Sequence, residues 1–228
     1  MTSRELSIYF TISYILPLED LLDMLNLLNK HVKIIVNDLN LMNEKREWID
    51  VSVSSFEQLL NEIESIDRNG WRMIVINNST SDLLKIVFSK IDNSMYSIGI
   101  TIPEKLNTKE TENLPVLGLS IFSLILFNRK KIVMAYYGGN YANIYSEKLS
   151  FEETISINFF PSWLQYFGKE ELENQGGIDA LEANSLLKTS RIHDGLLIQI
   201  GDGPYDAFTP EGEELLVKAT RSLPPVKK

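Results

Sequence analysis

Leu6, Ile8, Phe10, Ile12 and Tyr14 alternate with Ser7, Tyr9, Thr11 and Ser13 near the start of the chain. A period of two is that of a strand buried on one face. From Leu18 the apolar positions, Leu21, Leu22, Leu25 and Leu28, switch to helical spacing. Glu19 and Asp20 fall in the first turn and Lys30 and His31 in the last, so the charges complement the helix dipole at both ends. The chain therefore opens as strand then helix.

Between Val32 and Asp50 short apolar runs are broken by Asn37, Asp38, Asn40 and Asn43, and no period is legible there; Trp48 to Val53 reads as a short strand. Ser54-Ser55-Phe56-Glu57 has the form of a capping box, followed by a stripe of Phe56, Leu59, Leu60 and Ile63 that carries a helix to about Ile66. Asn69-Gly70 turns into a strand from Trp71 to Ile76. Leu84–Phe88 and Met95–Ile102, parted by Asp92-Asn93-Ser94, form a hairpin pattern. The polar segment Pro103–Asn113 is the best candidate for an exposed loop or internal boundary. Pro115–Phe127 is apolar on nearly every side, the pattern of a buried helix. Ile132–Tyr137 reads as a strand stopped by Gly138-Gly139.

The last third begins with the aromatic segment Pro161–Phe167, then a short acidic helix with Glu170, Glu171 and Glu173, and a further helix from Ile178 towards Leu187. Leu196, Leu197, Ile198 and Ile200 form a strand apolar on both faces, expected at the centre of a sheet. Gly201-Asp202-Gly203-Pro204 ends it, and a helix opens at Thr209-Pro210 and runs towards Leu223. Strands and helices in this order predict one α+β domain over residues 1–228, with a mixed, largely antiparallel sheet and helices packed on it.

Length and composition agree with this reading. A chain of 228 residues with 44% hydrophobic content can bury one shared core. The net charge of −9 argues against nucleic acid as a direct ligand, because neutralising phosphates requires a basic surface. With no cysteine there is neither a disulfide framework nor a thiolate nucleophile. Glu5 and the interrupting Ser7, Thr11 and Ser13 do not fit a secretory leader, and the longest apolar run, Leu114–Phe127, is too short to span a bilayer. A cytoplasmic protein with no membrane association is the expectation.

Candidate chemistry is sparse. His31 and His193 are the two histidines, without a zinc spacing, and neither Gly138-Gly139 nor Gly201-Asp202-Gly203 is followed by a phosphate-binding lysine. No metal, cofactor or catalytic residue is expected. One charge feature stands out. From Ile192 to Val217 there is no lysine or arginine, while Asp194, Asp202, Asp206, Glu211, Glu213 and Glu214 fall within that span, with Tyr205 and Phe208 among them. Asp194, Asp202, Tyr205, Asp206 and Glu211 are therefore the candidate contacts for a basic protein partner, expected to gather near the end of the late strand. Two alternatives stay open: Glu211, Glu213 and Glu214 complement a helix amino terminus, and Asp206 stabilises the turn with Tyr205 packed inward.

The strand Leu6–Tyr14, the helix Leu18–Leu28, the segment Trp163-Leu164-Gln165-Tyr166-Phe167 and the run Asp194–Ile200, closed by Gly203-Pro204-Tyr205-Asp206 and a carboxyl-terminal helix, occur here in that order. In this order of pieces the chain resembles the immunity-protein-52 family of bacterial polymorphic toxin systems, most specifically in its final third. The resemblance implies a non-enzymatic protein that neutralises a cognate toxin, often a nuclease with a basic groove, by stoichiometric binding. The alternative of another class is a small-molecule-binding regulator or a carboxylate-dependent hydrolase.

Overall fold

The structure is a computed structural model that describes residues 5–13, 17–31, 36–66, 71–78, 85–91, 95–103, 114–128, 132–139, 162–174, 177–203 and 209–223. In chain order the elements are β1 (Glu5–Ser13), α1 (Pro17–His31), β2 (Val36–Asn43), β3 (Trp48–Ser52), α2 (Phe56–Ile66), β4 (Trp71–Asn78), β5 (Lys85–Lys90), β6 (Met95–Pro103), α3 (Leu114–Asn128) and β7 (Ile132–Gly139). There follow β8 (Leu164–Phe167), α4 (Lys169–Asn174), α5 (Ile178–Glu182), β9 (Lys188–Ile192), β10 (Gly195–Gln199) and α6 (Pro210–Arg221). The class is α+β, as the pattern implies. The ten strands make one sheet in the order β3-β2-β4-β5-β6-β1-β7-β8-β10-β9, and every ladder among the described residues is antiparallel. The loop Pro103–Asn113 falls outside the described residues beyond Pro103.

Register explains the core. Residues directly opposite each other point to the same face, so Leu39, Ile76, Ile86, Ile100, Ile8, Tyr137 and Leu164 form one continuous row across seven strands. The row of Leu41, Ile74, Phe88, Ile98, Phe10, Ala135 and Tyr166 runs beside it on that first face. Leu21, Met24, Leu25 and Leu28 of α1, Leu59 and Ile63 of α2, and Ile121, Phe122, Ile125 and Leu126 of α3 join those rows in one buried cluster. Phe122 stacks on Phe10 at 5.5 Å between ring centroids. Where the alternation would point an apolar residue the wrong way, the ladder slips. The pairing skips Arg72 between Met73 and Trp71, so Trp71 turns to the first face and packs on Phe88 with centroids 5.0 Å apart.

The second face is covered only in part. Phe167, Leu196 and Ile198 point to it, beneath Leu172 of α4, Leu181 of α5 and Leu216, Val217 and Ala219 of α6. Two helical layers thus lie on opposite faces of the sheet and overlap at β7, which α3 and α4 both contact. The last helix begins as read: the Thr209 side chain accepts a hydrogen bond from the Gly212 amide at 3.1 Å, with Pro210 in the first turn.

Several expectations are corrected. β2 occupies the stretch where no period was legible, and α5 stops at Glu182 so that β9 can form. The cap of α2 lies one residue later than the Ser54–Glu57 box. Ser55 Oγ accepts from the Gln58 amide at 3.1 Å, and the Gln58 side chain accepts from the Ser54 amide at 2.9 Å. β10 is second from an edge, not central. α3 is buried on one side only, with Leu119 and Phe127 38% and 60% exposed, because it lies in the outer layer with one side on the sheet. No helix among the described residues is long and apolar enough to cross a membrane.

Three substitutions test this layering. A Cβ on Gly118 would strike the Tyr137 hydroxyl and ring, since α3 lies directly on β7 there. Gly118→Ala should cost about 1–3 kcal/mol in thermal or urea unfolding. A Cβ on Gly99 on the second face meets only ordinary contacts at 3.9–4.0 Å, so Gly99→Ala should change stability by less than about 0.5 kcal/mol. Ile198, fully buried under the second layer, should lose roughly 3 kcal/mol or more as Ile198→Asp. Equal responses at Gly118 and Gly99 would contradict the one-sided covering.

Candidate interaction surface

The second face of β3, β2, β4, β5, β6 and β1 has no described helix packed over it. Its middle row runs Asp50, Asn40, Val75, Val87, Gly99, Tyr9, and continues through Tyr136 of β7 to Gln165 of β8. The adjacent row is Trp48, Met42, Met73, Ser89, Ser97, Thr11 and Met134. Val75, Ser97 and Thr11 are buried on this face, Tyr9, Met42, Met73, Val87, Ser89 and Gly99 are half-buried, and Trp48 and Asp50 at its β3 end are exposed. The charges lie outside these central positions, at Asp38 and Asp50 towards β3 and at Lys85 in the next row. Six strands at about 4.8 Å spacing make the surface roughly 24 Å wide, close to the width of a patch of about 800 Å² that one partner buries in an ordinary protein interface.

Tyr9 and Tyr136 stack at the inner border of this surface, with ring centroids 5.2 Å apart. Beyond them Gln165 is fully buried, its Oε1 accepting from the Ser162 hydroxyl at 3.4 Å and its Nε2 without a partner. Past Gln165 the row reaches Ile198 under the second helical layer.

Of the acidic candidates, Asp194 and Asp202 lie at opposite ends of β10. Asp194 lies in the two-residue turn between β9 and β10, and Asp202 lies beyond the far end of β10. The five residues of that strand put roughly 17 Å between the two sites. Asp202 is paired with Lys188 at 3.1 Å, because register sets Lys188 opposite Gln199. The cation-free span in sequence is thus met by a lysine from the neighbouring strand. Glu211 is exposed in the first turn of α6. Tyr205 and Asp206 lie outside the described residues.

The β9–β10 turn itself is architectural. His193 adopts φ 54, and its Nε2 donates to the Leu126 carbonyl at 3.0 Å, one of the last carbonyls of α3 that lack helical partners. Gly195 serves close approach, since a Cβ there would strike the Phe167 carbonyl and the Tyr166 hydroxyl. Arg191 donates twice to Glu182 at 2.8 Å, and these hydrogen bonds hold Glu182 below the usual carboxylate range. Among the described residues no group of three or more histidine, aspartate or glutamate side chains is placed to hold a metal.

No family model matches this chain, and no curated protein matches it. Among solved structures it is similar to Pseudomonas aeruginosa T6SS protein PA0821, with a TM-score of 0.64, 16% sequence identity, and alignment over 97% of this chain and 73% of that one. At that identity the likeness is one of fold. The immunity-protein-52 resemblance is carried by the sequence order alone.

Two tyrosines give the surface and the turn a titration signature. Burial, and then the like charge that Tyr9 acquires, push the Tyr136 hydroxyl up to about 12. Burial, and then Asp194, push Tyr166 up to about 12. Both stay neutral in the folded chain over a range where an unfolded tyrosine, with a pKa of about 10, has ionised. Their contribution to stability is complete below about pH 10 and is lost between about pH 10 and 12. The melting temperature should fall across that window, and less steeply in the Tyr136→Phe/Tyr166→Phe variant. An unchanged slope would show that neither ring resists ionisation.

Proposed function

We propose that this protein neutralises a cognate bacterial toxin by stoichiometric binding, with no turnover of its own. The observation that carries the reading is the exposed apolar margin of the sheet at β3, where Trp48 and Ile49 are 52% and 48% exposed. Met42 and Met73 lie partly exposed beside it in the same row, and the exposed carboxylates of Asp38 and Asp50 stand next to them, the composition of a protein-binding patch. The fold shared with a T6SS protein supports a secretion-system setting, and the immunity-protein-52 resemblance supports the inhibitor role within it. A nuclease is the toxin class this reading favours, because a phosphate-binding groove is basic and a chain of net charge −9 complements it.

The carboxylates of this part of the chain fit this function through their charge. Asp194, Asp202, Asp206 and Glu211, on a chain with no lysine or arginine from Ile192 to Val217, contribute to a field that steers encounter with a basic partner. Steering acts over distances at which direct contact is not needed. Tyr205 is the proposed anchor at that end of the molecule.

The reading predicts a stable complex of equal stoichiometry when this chain is co-expressed with any toxin domain that a neighbouring gene encodes, read by size-exclusion chromatography. Met73→Lys, in the middle of the open face, should weaken the complex about tenfold or more, about 1.4 kcal/mol, with the melting temperature of the free chain little changed. Asp194→Asn with Asp202→Asn should slow association and flatten its salt dependence. Protection of cells at strongly substoichiometric amounts would contradict inhibition by binding.

A further inference from the structure

The two edges of the sheet are built differently. β9, at one edge, carries Lys188 and Arg191 within five residues, the first paired with Asp202 and the second with Glu182. α5 packs beside this strand. Fixed charges and a covering helix are the usual means of stopping an edge from accepting another strand. β3, at the other edge, forms no ion pair among the described residues, its one charged side chain being Asp50. Trp48–Ser52 contains no lysine, arginine or proline, and it follows β2 for five residues without a bulge. Trp48 on the second face is 52% exposed and Ile49 on the first is 48% exposed. Apolar surface therefore flanks the unpaired backbone on both sides, and no described strand lies beyond it.

Charge selects the occupant. Asp38 and Asp50 sit on a diagonal of the second face, both exposed. Asp50 accepts from Asn40 Nδ2 at 2.6 Å, and neither aspartate forms an ion pair among the described residues. A second copy of this chain, added antiparallel about Asp50, would set two carboxylates opposite each other on bodies that each carry a net charge of −9. A basic strand meets the same positions with attraction.

We propose that β3 is a strand-addition site for an extended, basic segment of a partner protein. Its backbone continues the sheet, and its lysine or arginine side chains meet Asp38 and Asp50. The row from Trp48 through Met42 to Met73 makes this edge continuous with the open face. Identifying the partner as the toxin rests on the inhibitor reading; the edge itself does not.

Amide hydrogen exchange tests the edge without any toxin. The probe is a synthetic peptide of alternating lysine and valine, with a glutamate–valine peptide as control. At ten times its Kd the basic peptide should slow β3 exchange about tenfold. The effect should vanish in the Trp48→Lys/Ile49→Lys variant, whose substitutions are at exposed positions and whose melting temperature checks its fold. Exchange that is unaltered by the basic peptide, or slowed equally by the acidic one, overturns the proposal. In a second arm the same variant should weaken, at least about tenfold, a complex with any toxin domain that a neighbouring gene encodes. A wild-type complex that ignores the variant overturns the edge assignment and leaves the inhibitor reading standing. If no complex forms at all, the inhibitor reading falls, and the peptide result alone decides the edge.

Discussion

The pleat of the sheet is the constraint on which everything else depends. Each strand gives one row of side chains to each face, and register joins those rows across ten strands. On the first face the joined rows are apolar from β2 to β8 and hold α1, α2 and α3 against them. On the second face the same geometry gives a row that changes character along its length, from Asn40 and Gly99 through Tyr9 and Tyr136 to Ile198. A slip of one residue would exchange the faces and expose the core. The skip at Arg72 shows the same rule locally, because it restores Trp71 to the apolar side.

This arrangement separates stability from recognition. Burial is concentrated in two clusters on opposite faces, diagonally placed, and each has its own helices. On the second face, towards β3, exposure rises from buried Val75, Ser97 and Thr11 to exposed Asp50 and Trp48. His193 joins the two layers by donating from the β9–β10 turn to the end of α3.

Much of the fold was legible because local signals agreed with the global structure. β1 and α1 show their periods openly, the β5–β6 hairpin has its turn residues, and α6 has its cap. β2 was obscured because Asp38 and Asn40 fall on the open face, where polar residues are tolerated; the alternation with Leu39 and Leu41 is present but weakened. β9 was obscured because protecting an edge replaces hydrophobic residues with Lys188 and Arg191. The acidic span was visible, but the lysine opposite Asp202 was not, since ladder register is a long-range property. The open face was invisible for the same reason: Tyr9, Gly99, Met73 and Trp48 belong to four strands and meet only in the folded sheet.

Methionine oxidation by hydroxyl radicals, located by mass spectrometry, tests most directly whether the open half-face receives a partner. Met42 and Met73 lie on that face, half-buried, and Met24 lies fully under the helices as an internal control. The proposal predicts that Met42 and Met73 oxidise faster than Met24 in the free chain and are protected in a complex with any toxin domain that a neighbouring gene encodes, while Met24 stays unreactive in both. Equal oxidation of Met42 and Met73 in the free and bound chains would contradict it.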